Sequence, residues 1–269
     1  METTASGDLI AATQSALSPF ALFRPNTVAE AVAAFAAAPR PAVFHAGGTD
    51  LFARLREGWQ PAALVALSRV AELRAVTRTG DTLVIGAGVT HAAAAGHPAL
   101  DAVPGLAAAW ARIATRRIRG QATLGGNLMA RQTRYELAIL LAALDASATL
   151  AGPDGQMTLR VADLWSAAPD SHPLLVSVAV PLAGRPRLAY DRGLRPLATL
   201  ATCLRDTGAR VALATEYLVP WSAPVPLPAD PPAVLAALPA DYADPAASRA
   251  FLVRAGAAML ARHLARFGA

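Results

Sequence analysis

Two stretches decide how this chain is read: Ala46-Gly47-Gly48-Thr49-Asp50-Leu51 and Thr123-Leu124-Gly125-Gly126-Asn127-Leu128. Each sets a glycine pair ahead of a helix-like run, and the first directly follows a short apolar strand. Glycine lets a backbone come close to a diphosphate, and the free amides and positive end of the next helix then face the anion. The Thr49 hydroxyl adds a donor, and Asn127 both donates and accepts. A single Gly-Gly after a strand is usually only a tight turn. Two of them, 80 residues apart from Gly47 to Asn127, can bracket one extended dinucleotide, and the pattern alone reaches no further than a candidate diphosphate ligand. Neither has the G-x-G-x-x-G spacing or the lysine-dependent G-x-x-x-x-G-K spacing.

Working outward, Thr27 to Ala38 has a helical pattern with Thr27 or Asn26 as cap and Val28, Val32 and Phe35 on one face. Strands are expected at 42–46, 63–67, 73–78 and 82–89. Asp50 is expected to cap a helix over 51–56, and Thr90 to start another. Leu106 to Ile118 reads as one helix carrying Arg112, Arg116 and Arg117. Glu136 to Leu144 reads as a buried helix, and Thr149–Ala151 with Met157–Val161 as a hairpin around Pro153-Asp154-Gly155-Gln156. Pro181 with Gly184-Arg185-Pro186 marks a boundary. Beyond it, runs at 197–204 and 209–214 turn at Asp206-Thr207-Gly208, and an amphipathic helix closes the chain over 245–267.

Composition narrows the function classes. The 269 residues carry 24 basic and 19 acidic side chains, a formal charge of +5, with 54% apolar residues. Such a chain builds a core, in one large domain or two modest ones. Every cation is arginine, so Schiff-base chemistry and a lysine phosphate loop are excluded. The single cysteine, Cys203, excludes an internal disulfide, a thiolate zinc site and an iron–sulfur cluster held by this chain alone. The five histidines lack H-x3-H or HExxH spacing, so no metal ligands are assigned. No secretory pattern opens the sequence, and Leu137–Leu144 is too short to span a bilayer. The chain is expected to be soluble and cytoplasmic. The basic pI of about 10.3 reflects arginine usage rather than nucleic-acid binding, since interleaved aromatics are missing.

AGGTDL and IRGQATLGGNL, in this order and separation, resemble the FAD-binding subunit of molybdenum hydroxylases. That is the medium chain of carbon monoxide dehydrogenase-type enzymes and the central flavin domain of xanthine dehydrogenase. Leu83 to Thr90, Glu136-Leu137 with Ile139 to Ala146, and Tyr190 to Arg195 are similar to further family segments. The resemblance implies an α+β chain: a two-subdomain FAD-binding fold of the PCMH (vanillyl-alcohol oxidase-like) type, plus a small C-terminal domain with an antiparallel sheet and helices. The implied limits are an extension over 1–18, the FAD domain over 19–182 (subdomains 19–75 and 76–182), and the C-terminal domain over 183–269.

By the same resemblance, Ala46, Gly47, Gly48, Thr49, Asp50 and Leu51 contact the FAD diphosphate. Thr123, Gly125, Gly126 and Asn127 hold the diphosphate and ribityl region, with Asn127 near the flavin. Glu136 faces ribose or ribityl hydroxyls, Leu175 lines the site, and Arg192 stands where many members carry a lysine near the isoalloxazine. The chain departs from the family at Arg131-Gln132-Thr133-Arg134-Tyr135, at Thr199 and at Gly120. The implied partners are a 2Fe-2S small subunit and a molybdopterin large subunit, in a dimer of heterotrimers. This chain then supplies no catalytic acid, base or nucleophile and passes electrons from the iron–sulfur partner through FAD to an external acceptor. A stand-alone flavin oxidoreductase and a non-redox binding or assembly protein with degenerate loops are the alternatives.

Overall fold

The structure, a computed structural model, describes residues 18–167, 172–192 and 197–269. The N-terminal extension before Ser18 and the Gly193 to Arg195 part of the C-terminal motif lie outside the described residues. The first layer is a parallel sheet of β1 (Ala21–Phe23), β2 (Ala42–His45) and β3 (Ala63–Ala66), ordered β1-β3-β2. Its crossovers carry helices α1 (Val28–Ala37) and α2 (Thr49–Arg56), as parallel pairing requires. Thr27 caps α1, its hydroxyl accepting from Glu30 N–H. The helix stops before Pro39, because the residue ahead of a proline is pushed out of the helical region.

The second sheet is antiparallel, ordered β4-β5-β8-β6-β7, from β4 (Val76–Thr79), β5 (Thr82–Gly86), β6 (Ser147–Gly152), β7 (Gly155–Arg160) and β8 (Leu174–Pro181). Gly152 pairs with Gly155, so the β6–β7 hairpin turns on Pro153-Asp154. Between β5 and β6 run five short helices: α3 (His91–Ala95), α4 (Leu106–Trp110), α5 (Arg116–Arg119), α6 (Leu124–Met129) and α7 (Leu137–Ala143). Every residue of α7 is buried, which is why its sequence is apolar all round. A single turn, α8 (Leu164–Ala167), follows β7.

The third sheet, β12-β11-β10-β9, is antiparallel and built from β9 (Arg187–Arg192), β10 (Thr199–Arg205), β11 (Gly208–Ala214) and β12 (Trp221–Val225). Its two faces serve different cores, as strand alternation demands. Ala201, Cys203, Ala212 and Ala214 join the main core with α7. Leu200, Val211, Leu213 and Val225 pack with α9 (Pro231–Ala236) and α10 (Arg249–Phe267). Thr202, on that second face, meets the buried His263 of α10 at 2.9 Å, Oγ1 to Nδ1. Helix α10 begins at Arg249 rather than at Pro245, capped by Ser248, whose hydroxyl accepts from Phe251 N–H.

Four local expectations are corrected. The helix expected over Leu106–Ile118 is two helices, because Ala114 takes φ +55° and Thr115 restarts the chain as a new cap. The strand expected from residue 73 begins at Val76, after a tight 3-10 turn over Ala71–Arg74. The Leu73 carbonyl of that turn accepts from Gly88 N–H at 2.7 Å, so β5 ends at Gly86. The cap of α2 is Gly48, in the left-handed region at φ +75°, and not Asp50. Gly125 and Gly126 lie in the first turn of α6 and not in a loop before it.

Candidate functional site

A cleft of about 750 Å³ lies where the three sheets meet, within the usual range for small-molecule sites. All the residues singled out in the sequence line it: Ala46 to Leu51, Thr123, Gly125, Gly126, Asn127, Glu136, Leu175 and Arg192. Residues 85 or more positions apart in the chain thus share one wall, for example Asp50 and Tyr135.

The two glycine segments touch each other. A Cβ on Gly47 would stand 1.9 Å from the Gln121 carbonyl oxygen, so this glycine is required by the contact between segments. Gly125 packs on Ala87, whose carbonyl would lie 3.0 Å from an added Cβ. Gly48 needs glycine for its positive φ, with the Phe52 ring 2.6 Å from an added Cβ. Gly126 differs: only Thr123 Oγ1, at 3.1 Å, comes near an added Cβ. Three of these glycines therefore shape the walls, and Gly126 keeps the cleft clear.

The segments also differ in what they offer a ligand. In α2 the first amide tied to a carbonyl is that of Phe52, to Gly48 at 2.8 Å. The amides of Thr49, Asp50 and Leu51 precede it at the open end of the helix. In α6 the Gly125 N–H donates to Ala87 O at 2.7 Å, Gly126 N–H to Thr123 Oγ1 at 3.1 Å, and Asn127 N–H to Thr123 O at 2.9 Å. The second segment therefore presents side chains rather than amides. Asn127 Oδ1 is buried with no hydrogen-bond partner among the described residues. An orphaned acceptor in the wall of a cleft calls for a ligand donor, so the residues present fit a dinucleotide with hydroxyl and amide groups.

At the other end, Arg192 grips Glu136 through two bonds, Nε to Oε1 at 2.9 Å and Nη1 to Oε2 at 3.0 Å. Burial pushes the Glu136 carboxyl up, against the opposing charges of Arg192 and Arg112. Arg112 lies over the Tyr190 ring at 5.3 Å and donates to the Tyr190 carbonyl at 3.2 Å. Burial, then the neighbouring Glu136 charge, hold the Tyr190 hydroxyl protonated well above its usual range.

Sequence reasoning missed one wall. Thr199, Thr215 and Glu216, from the third sheet and the turn after β11, line the cleft with His172 and Pro173. Thr199 was marked only as a departure, and nothing in the sequence pointed to Thr215 or Glu216. The Arg131–Tyr135 segment, another departure, bridges the cleft. Tyr135 donates from its hydroxyl to Asp50 Oδ1 at 2.9 Å, and Thr133 Oγ1 donates to the Glu216 carbonyl at 2.6 Å.

Residues 18–183 match the family model described as the FAD binding domain in molybdopterin dehydrogenase. The carbon monoxide dehydrogenase medium chain of Hydrogenophaga pseudoflava is 32% identical over 142 residues, 52% of this chain and 50% of that protein. The nicotinate dehydrogenase FAD-subunit of Eubacterium barkeri is 28% identical over 151 residues, 54% of this chain and 50% of that protein. The chain thus spans about half the length of the curated relatives it matches. The structure of the reconstituted CO dehydrogenase from Oligotropha carboxidovorans superposes with a TM-score of 0.80 at 24% identity, covering 92% of this chain and 97% of that one. That likeness establishes the mixed helix-and-sheet fold with its C-terminal antiparallel sheet. With the family model matching more than half of its residues, the chain belongs to the family of FAD-binding domains in molybdopterin dehydrogenases, and its cofactor is FAD.

Proposed function

We propose that this chain is the FAD-carrying electron-transfer subunit of a molybdopterin-dependent hydroxylase. In this reading a molybdopterin large subunit oxidises the substrate and a 2Fe-2S small subunit delivers the electrons here. They leave to an external acceptor, from a cytoplasmic dimer of heterotrimers. Bound FAD supplies the step between one-electron and two-electron carriers. The chain's own residues bind and orient it. The observation that carries the reading is the meeting of both glycine segments, Asn127, Glu136, Leu175 and Arg192 around one cleft.

Within that cleft the open amides of Thr49 to Leu51 face the diphosphate, and Asn127 Oδ1 accepts from the cofactor. Gly126 leaves room for the close approach. Glu136, held by Arg192, points its carboxylate toward cofactor hydroxyls, and Arg192 sets a cation beside the flavin end. Leu175 closes the wall against water. The domain limits 19–75, 76–182 and 183–269 belong to the same proposal, and the separate second core around α10 supports the last of them. The lone cysteine is buried and its thiol is pushed up to about 11, first by burial. That supports placing the iron–sulfur relay on a partner. Among the described residues no helix is long and apolar enough to cross a membrane.

The test is a visible spectrum of the purified chain, with heat release and chromatography of the chromophore. Absorbance near roughly 450 nm from released FAD, with iron–sulfur and molybdopterin subunits co-purifying, supports the reading. A colourless chain that takes up no added FAD refutes it.

A further inference from the structure

His91 is the buried polar residue that the proposed function leaves unused. It opens α3, has no exposed surface, and contributes to the wall of the cleft. Its Nδ1 accepts a hydrogen bond from the Trp110 indole N–H at 2.8 Å. An indole nitrogen can only donate, so Nδ1 carries no proton and the neutral ring keeps its hydrogen on Nε2. That Nε2 is buried and has no partner among the described residues. Asn127, which also lines the cleft, carries an orphaned acceptor in its Oδ1. A buried donor left unpaired costs its full desolvation, and a fixed tautomer aimed at nothing has no structural purpose.

The backbone fixes where this donor sits. His91 N–H donates to the Ala122 carbonyl at 2.9 Å, and Thr90 bridges to Thr123, the cap of α6. Ala122 Cα is also one of the atoms against which Gly47 is packed. His91 therefore lies at the junction of the two glycine segments. We infer that His91 donates a hydrogen bond from Nε2–H to an acceptor oxygen in the diphosphate–ribityl stretch of bound FAD, with Trp110 as the positioning residue that holds the tautomer. This rests on the cofactor placement proposed above. Burial, and then the Arg119 charge, pull the His91 pKa down to about 4, so the ring donates as a neutral group throughout the working pH range.

The test uses the full chain stripped of flavin and titrated with FAD, following flavin fluorescence. H91F, which keeps a ring but loses the donor, is expected to weaken FAD binding about tenfold. H91Q, whose side-chain amide restores an N–H, should recover most of that loss. W110F removes the lock on Nδ1 and should weaken binding by a few-fold. In ¹⁵N-histidine NMR of the wild type, His91 should show the Nε2–H tautomer, and its Nε2 resonance should move on FAD loading. A folded H91F that binds FAD like the wild type overturns the inference, as does an Nε2 resonance unmoved by FAD. Should the variants fail to fold, the wild-type NMR result decides alone. A wild-type chain that takes up no FAD refutes the cofactor placement itself and is distinguished from both of these.

Discussion

Arg192 and Glu136, 56 positions apart, meet in a forked ion pair, Nη1 to Oε2 at 3.0 Å, that joins the last residue of β9 to the start of α7. The carboxylate is nearly buried, whereas the guanidinium side chain keeps 29% of its surface. Removing one partner leaves the other charge uncompensated. R192M should therefore destabilise the chain by about 1–3 kcal/mol, less than for a fully buried pair because water screens the arginine. It should also push the Glu136 carboxyl further up. Urea unfolding and ¹³C carboxyl titration measure both, and an R192M/E136Q double variant should recover much of the stability. Unchanged stability in R192M would show that the pair contributes nothing.

The four glycines of the two pairs should separate into two behaviours. G47A drives a Cβ into the Gln121 carbonyl and should cost about 3 kcal/mol or prevent folding. G126A meets only Thr123 Oγ1 at 3.1 Å; it should stay folded yet lose FAD affinity at least about tenfold, because a methyl group intrudes on the ligand's space. Thermal unfolding beside FAD titration distinguishes them. The reverse order would remove Gly126 from the binding surface.

The bridge over the cleft should govern cofactor release. Y135F deletes the hydrogen bond to Asp50, worth about 1 kcal/mol, and T133V deletes the bond from Thr133 to Glu216 O. Each should speed FAD dissociation several-fold, with the double variant faster than either. Stopped-flow release rates equal to the wild type would show that the segment is not a clasp.

Acid should weaken the fold before most carboxylates titrate. Burial lowers the pKa of both His91 and His263 to about 4. Arg119 adds to the effect at His91; at His263 the charges of Arg266 and Arg262 add and Asp191 opposes. Between about pH 6.5 and 4 the unfolded chain binds protons at these rings that the folded chain does not. Stability should fall across that window as pH drops, by up to roughly 3 kcal/mol for each ring as an upper bound. Urea unfolding at pH 7 and pH 5 reads the slope, and H91F should lower it. An H91F slope equal to that of the wild type would show that His91 titrates normally.

The elements legible in the sequence are those fixed by local pattern. The apolar run Leu137–Ala143 is the wholly buried α7 because no face of it can meet water. The Asp206-Thr207-Gly208 turn joins β10 to β11, Gly208 taking φ +141° as only glycine does readily. Of the candidate site, residue types and spacing pointed only to two glycine pairs and an asparagine suited to a diphosphate ligand; Glu136, Leu175 and Arg192 were expected from the family resemblance, and all of them line the one cleft.

Other features depend on residues that meet only in the folded chain. Nothing in the sequence near Asp50 names Tyr135 as its partner, and nothing near His91 shows that Trp110 will fix its tautomer. Alanine-rich propensity favoured one helix over Leu106–Ile118, whereas the left-handed Ala114 and the Thr115 cap divide it in two. Thr215 and Glu216 became cleft residues because the third sheet lays one face on α7. By itself the sequence determined local elements such as the buried α7 and the β10–β11 turn, since backbone sterics and apolar periodicity act over a few neighbouring residues. Only the tertiary structure decided which of them form one cleft, because packing and hydrogen bonding join atoms by distance in space and not by position along the chain.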